Sequence, residues 1–452
     1  MTFMASPSSA PVRRRMRTRS SGWTDAHVRR LLWRAGFGPR PGEIRTWQRR
    51  GKAATIDWLV SARGAPRYRG RAPSVGGRPL DPVNEFGHDK LFWLDRMVRT
   101  SQPLREKMTL FWHDHFATRG QPTPLMLGQN ETLRRGALGS FPALLRAMTL
   151  DPALARFLSL TTSRAGAPNE NYARELMELF TLGSGYTEID IREAARALTG
   201  LRGSVTNGLT TSVYFDPAFH DAGLKTIFGQ TGDWAWEDVL RLVVAHPAHA
   251  PFLVSKLWDF FVGRPLSAQF RNELAVTYMR SGHRLQPVLR RILGHRALYA
   301  DLDRPDMVKW PAVLIAGQLR TMGAPVDSKA WVQLMSNMGQ ILFAPPSVAG
   351  WDWGTAWLSS NAMHARFQMA NVLVGDGGHA APRHVSTKLS TEAHLRLAAA
   401  QVGGPALTHA TKVELRRLAG AHALHRHTRA GAVELQRALR HLMISGPDNQ
   451  LC

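Results

Sequence analysis

The sequence predicts a mainly α-helical protein, a bundle-like single module of many helices with a short β-hairpin or ordered loop inserted. Apolar residues recur at helical spacing through most of the chain, as in the stripe of Leu253, Leu257, Phe260 and Phe261. Helix-starting residues precede several of these stripes, and glycine or proline follows them. Only residues 210–229 contain short runs that are typical of strands.

Composition limits the classes of protein to consider. The chain has 452 residues and is 44% hydrophobic, which is enough for a sizeable core. No run approaches 18 apolar residues, so we expect no transmembrane segment. The basic N-terminus lacks the apolar region of a secretory signal, and we therefore expect a cytoplasmic protein. The single cysteine, Cys452, excludes an intramolecular disulfide and a cysteine-rich zinc site.

The formal net charge of +24 comes mainly from arginine. A genome rich in arginine codons would give this charge without any functional meaning. Alternatively, the charge forms a surface for a polyanion or for an acidic partner protein. Nucleic acid is one such polyanion, although no helix-turn-helix or RNA-recognition signature supports it.

The pattern divides the chain into three parts. Residues 1–22 are expected to form a disordered basic arm, and residues 23–374 a helical core module that includes a long loop at 64–82. Glycine and proline then mark a linker, so residues 375–452 are predicted to be a His/Arg-rich helical extension. This extension holds eight of the 18 histidines, but no acidic or cysteine partner for a specific metal site is near His422, His425 and His427.

Residues 169–200 are the densest run of ionisable, aromatic and helix-signalling residues. The side chain of Asn169 can accept an amide proton of the first turn, and the glycines from Gly183 onward end that helix. Thr187 and Asp190 have the spacing of a capping box, which starts a second helix. The stretch therefore predicts a helical hairpin.

One stripe of the first helix is polar, because its residues stand at i, i+3, i+4 and i+7. These residues are Asn171, Arg174, Glu175 and Glu178. The stripe is either a solvated face whose ion pairs contribute about 0.2–0.5 kcal/mol each, or a buried network that holds a functional site. The surrounding apolar residues favour burial, and a buried carboxylate requires a cation or a donor.

A second group of candidates lies in the predicted helix 103–117. His113 and His115 project about 200° apart, because each residue turns about 100°, so they cannot chelate one metal together. We expect at most one of them to face the core and assign that position to His115. His115 is then either a hydrogen-bonded core residue or a metal ligand or acid/base group.

Two loops complete the candidates. His220 and Asp221 adjoin a glycine, and Asp221 either orients the imidazole or accepts from the backbone in an Asx-type turn. Trp351, Trp353 and Trp357 either line a pocket that stacks a sugar or base, or fasten their loop to the helices.

Five stretches in this order resemble a large bacterial family named for domain of unknown function 1800. They are residues 31–38 (LLWRAGFG), 104–118 (LREKMTLFWHDHFAT), 169–200, 220–225 (HDAGLK) and 345–351 (PPSVAGW) with Trp357 beyond. The resemblance covers roughly residues 24–372. Family members often read His-Asn-His where this chain has His113-Asp114-His115. The resemblance implies a mostly helical single module and no established activity.

Two functions remain open. The first is a metal-assisted hydrolase or an acid/base enzyme. Its catalytic residues would be His115, Arg174, Glu175, Glu178, His220 and Asp221. A divalent metal would be held by His115, Glu175, Glu178 and His220. Substrate would contact Asn171, Lys225, Trp351 and Trp357. The alternative is a non-enzymatic binding or assembly protein that uses its basic surface.

Overall fold

The computed structural model describes residues 22–61, 64–375, 377–382, 384–422 and 427–452. The predicted basic arm lies outside these residues, apart from Gly22. The mainly α-helical fold class is confirmed, because the described residues form 20 α-helices and three small antiparallel sheets. None of these helices is both long enough and apolar enough to cross a membrane.

The first ten helices are α1 (Asp25–Arg34), α2 (Glu43–Val60), α3 (His88–Arg99), α4 (Pro103–His115), α5 (Thr123–Gly136), α6 (Phe141–Thr149), α7 (Pro152–Phe157), α8 (Asn171–Glu175), α9 (Glu188–Ala197) and α10 (Trp236–Ala245). The others are α11 (His249–Phe261), α12 (Ala268–Arg280), α13 (Leu285–Gly294), α14 (Pro311–Met322), α15 (Ala330–Asn337), α16 (Ser360–Val374), α17 (Thr391–Gln401), α18 (His409–Ala421), α19 (Arg429–Ser445) and α20 (Pro447–Gln450).

Each of the three sheets is one hairpin. The strands pair as β1 (Ser74–Val75) with β2 (Arg78–Pro79), β3 (Leu201–Thr206) with β4 (Leu209–Phe215), and β5 (Lys225–Ile227) with β6 (Gln230–Gly232). The predicted single hairpin within 210–229 is thus two hairpins, and this stretch supplies one strand to each. The turn between β3 and β4 is Asn207-Gly208, and both residues have the positive φ that such a tight hairpin needs.

Helix α4 lies inside the protein. All of its residues except Arg105 are buried, and it packs against α2, α3 and α5. Its ionisable residues therefore meet protein rather than water. Glu106, for example, is paired with the buried Arg134 at 2.6 Å. Such a helix cannot show the one-sided pattern of a surface helix.

The predicted helical hairpin of residues 169–200 is present with one difference. The first helix begins as α8 but continues as a π-helix from Leu176 to Thr181, in which each hydrogen bond spans one residue more. The Asn169 side chain accepts from the amide of Asn171 at 2.9 Å. The Thr187–Asp190 capping box that starts α9 is confirmed.

The last residues of the chain lie against the core module. The backbone of Lys309 donates to Gln450 at 2.8 Å, and Cys452 donates to Met307 at 2.9 Å. Helix α19 packs on both α16 and α17. Residues 447–452 are therefore built into the same core as α1 and α14.

Candidate functional site

Three side chains converge on the end of the π-helix. The last carbonyls of a helix have no partner within it. Here Lys256 donates to the carbonyl of Leu179 at 3.3 Å, His115 to that of Phe180 at 3.0 Å, and His249 to that of Thr181 at 3.0 Å. Each of these cationic or imidazole groups thereby satisfies one carbonyl.

His115 is held as a neutral imidazole. Its Nε2 must carry the proton, because a carbonyl can only accept. The ring is 3% exposed and lies among Phe111, Trp112 and Phe116, so burial lowers its pKa well below the ordinary value. The structure therefore places His115 as a backbone cap inside an aromatic cluster.

The prediction that at most one histidine of α4 faces the core is wrong. His113 is 1% exposed, and its Nε2 accepts from the amide of Phe343 at 3.2 Å. Burial lowers the pKa of His113 to about 3. Both histidines are buried because protein surrounds α4 on every side.

Asp114, between the two histidines, fastens the tryptophan loop. One carboxylate oxygen accepts from the Trp351 amide at 2.8 Å, and the other from the Trp353 indole at 3.1 Å. Burial raises the pKa of Asp114 to about 7, although both donors oppose the rise. Trp351 and Trp357 are 5% and 3% exposed, so their rings pack in the core instead of presenting a stacking surface.

The polar stripe of α8 and the π-helix faces solvent. Arg174 pairs with Glu188 at 2.8 and 2.9 Å and with Glu170 at 3.1 Å. Glu178 and Asn171 are exposed, whereas Glu175 is half-buried and its pKa is raised, first by burial and then by Glu178. The carboxylates of Glu175 and Glu178 make no hydrogen bond and no ion pair within the described part of the chain.

The loop of His220 and Asp221 is tied to α9. Arg196 donates to both oxygens of Asp221 at 2.8 and 3.1 Å, which lowers the pKa of that carboxyl. His220 donates from Nδ1 to the carbonyl of Thr199 at 3.0 Å. Lys225 is 1% exposed and lies 3.9 Å from Asp233. These contacts hold the loop in place.

The predicted metal ligands do not assemble. Within the described ranges, no group of three or more His, Cys, Asp or Glu side chains is placed to hold a metal ion. His115 caps a buried carbonyl, Glu178 faces solvent, and His220 binds the backbone after α9. The catalytic roles predicted for these residues stay predictions.

Five arginines that sequence reasoning missed share one pocket of about 160 Å³. We call it the arginine pocket, and its arginines are Arg40, Arg69, Arg71, Arg99 and Arg320. The run Arg67-Tyr68-Arg69-Gly70-Arg71 was a local signal for part of it. The contribution of Arg320 to the pocket could not be found from residue spacing, because Arg320 is distant in sequence from the other four arginines.

The chain was also compared with known proteins. No curated protein and no solved structure matches it. One family, described as a protein of unknown function (DUF1800), matches over residues 30–451. This match spans nearly the whole chain and includes the five stretches of the resemblance. The chain therefore belongs to the DUF1800 family.

Proposed function

We propose that this protein binds a polyanion through an arginine-rich surface, without itself carrying out a reaction. The observation behind the proposal is the arginine-rich segment, residues 43–80. Seven exposed arginines of this segment have no carboxylate partner among the described residues: Arg45, Arg49, Arg50, Arg67, Arg69, Arg71 and Arg78. The segment contains only two acidic residues, Glu43 and Asp57.

Exposed arginines without a carboxylate partner also occur elsewhere in the described ranges, as at Arg271, Arg280 and Arg284, but this segment gathers seven of them beside only two acidic residues. Arg174 and Arg196, by contrast, are each neutralised by two carboxylates. Solvated guanidinium groups without such partners remain free to contact phosphate, sulfate or carboxylate groups of a ligand.

Salt-dependent binding tests the proposal. A labelled sulfated polysaccharide, a DNA oligonucleotide and poly-aspartate would be titrated with the protein from about 50 to 200 mM salt. We expect at least one of them to bind, and its affinity to fall by about 100-fold or more over this range, because bound counterions are released. Absence of binding at the lowest salt, or binding that ignores salt, would overturn the proposal.

A matched pair of triple variants locates the surface. The variant Arg45→Gln, Arg49→Gln, Arg78→Gln removes three charges from the arginine-rich segment. The control, Arg271→Gln, Arg280→Gln, Arg284→Gln, removes three exposed arginines from α12 and the turn after it. The first variant should bind more weakly than the control. Equal losses would mean that total charge, and not this segment, governs binding.

A further inference from the structure

We infer that the arginine pocket is a binding site for a single phosphate or sulfate group. The inference rests on the proposed function and names the group of the ligand that the protein recognises. The pocket draws its arginines from separate parts of the chain: the turn before α2, the loop before β1, the end of α3, and α14.

Two of these arginines are fixed by the backbone. Arg40 and Arg320 both donate to the carbonyls of Val98 and Thr100, at distances of 3.0–3.2 Å. Arg320 also donates to the carbonyl of Gly38 at 3.1 Å. The end of α3 thus holds two guanidinium groups side by side, so little ordering remains to be done when a ligand binds.

The other three arginines approach from α3 and the preceding loop. Arg99 donates to the carbonyl of Arg69 at 3.3 Å and pairs with Asp95 at 3.1 Å. Arg69 and Arg71 are exposed and have no carboxylate partner in the described part of the chain. Gly70 between them has a φ of +89° and also lines the pocket. Capping of α3 explains Arg40 and Arg320 but gives no role to Arg69 and Arg71.

The charge balance selects an anion. Five guanidinium groups meet two carboxylates, Asp95 and Glu43, and Glu43 lies 3.7 Å from Arg40 and 3.4 Å from Arg320. Burial, together with Arg320, lowers the pKa of Arg40 to about 9, as expected where positive charge is in excess. An oxyanion would relieve this repulsion, and the planar fork of arginine matches the oxygens of phosphate and sulfate.

Calorimetric titration with small anions tests the site. Inorganic phosphate, inorganic sulfate, phenyl phosphate and phenyl sulfate would be titrated into the full-length protein at low salt. The two phenyl esters differ only in the anionic group. The ester that binds more tightly therefore shows whether the pocket prefers phosphate or sulfate. The pocket variant is Arg69→Ala, Arg71→Ala, and the control is Arg45→Ala, Arg49→Ala, which removes the same charge from α2 outside the pocket.

We expect the pocket variant to bind at least about tenfold more weakly than wild type, and the control to change by less than about twofold. All four substitutions are at exposed positions, so both proteins should fold. Equal losses in the two variants, or no binding of any of the four anions by wild type, would overturn the site.

The polyanion titration separates this inference from the proposed function. If the polyanion binds but the small anions do not, the surface proposal stands and the pocket site fails. If the small anions bind in a pocket-dependent way while no polyanion binds, the pocket stands and the surface proposal fails.

Discussion

At the scale of single residues, Asp114 carries a charge that depends on pH in an accessible range. Its pKa in the folded protein is raised to about 7 from an ordinary value of 3.8. The folded state therefore holds a proton between these values that the unfolded state has lost. The contribution of Asp114 to stability is fully present below about pH 4 and is lost as the pH rises through about 7.

We predict that Asp114→Asn removes this pH dependence. The amide oxygen can still accept from the Trp351 amide, but its NH₂ group would face the Trp353 indole and lose that bond, which costs about 1 kcal/mol at pH 5. Between pH 5 and 7.5 the wild type should lose on the order of 2–4 kcal/mol more than the variant. Urea unfolding measures both, with exposed Asp352→Asn as the control. Parallel pH profiles for wild type and Asp114→Asn would contradict the prediction.

His115 should not titrate in the folded protein between pH 5 and 8. Burial lowers its pKa, and its Nε2 proton is held by the Phe180 carbonyl. Below about pH 6.5 the imidazole of His115 gains a proton in the unfolded chain, whereas the buried imidazole of the folded protein stays neutral. His115 therefore favours folding above about pH 6.5, and this contribution to stability is lost as the pH falls below that value. NMR of the imidazole nitrogens should show the Nε2-protonated tautomer throughout. A titration midpoint inside this range would reopen the acid/base role.

At the scale of elements, the capped end of the π-helix should respond to loss of a single cap. His249 donates to Thr181 and accepts from the Tyr278 hydroxyl at 2.9 Å, so His249→Leu leaves two buried polar groups unpaired. We expect the free energy of unfolding to fall by about 2–4 kcal/mol. Hydrogen exchange at residues 176–183 should also accelerate.

The exposed His364 provides the comparison for His249. His364→Leu should change the free energy of unfolding by less than about 0.5 kcal/mol. If His249→Leu is as mild as this control, the cap contributes nothing measurable to the stability of the π-helix.

Local signals predicted the elements well where they act within a few residues. The Thr187–Asp190 capping box is confirmed because it depends on one turn of backbone. The π-helix escaped prediction, since the same residues satisfy α-helical spacing. The β3–β4 hairpin was missed although Asn207-Gly208 is a strong turn signal, because Gly203 and Ser204 weaken the strand pattern of β3.

At the scale of the whole molecule, local pattern gave the fold class but not the site. Periodicity suffices to predict helices, and the buried tryptophans fit the interpretation of a loop fastened to the core. Convergence depends on tertiary packing, and in the described part of the chain the predicted histidines and carboxylates form no group of three or more that could hold a metal ion. Arg40 and Arg320 meet at the end of α3 through backbone carbonyls, a contact that no spacing in the sequence indicates.

Deletion of residues 447–452 should unfold the protein or come close to it. Three buried cations donate to this segment: Arg34 to the Cys452 carbonyl at 2.9 Å, Lys309 to the Asn449 carbonyl at 2.7 Å, and Arg366 to the Gln450 side chain at 3.0 Å. Each of these side chains is at most 3% exposed with the segment in place, so deletion removes both its acceptor and the packing that covers it.

The three losses together should cost about 5 kcal/mol or more, which is comparable with the stability of a typical domain. Thermal unfolding of the full chain, the deletion and Gln450→Ala measures the effect. Gln450→Ala keeps the backbone contacts and removes one acceptor of Arg366, so it should cost only about 1–2 kcal/mol. If the deletion protein melts at the wild-type temperature, the core module folds without residues 447–452. That outcome would agree with the predicted division of the chain into a core module and a separate C-terminal extension.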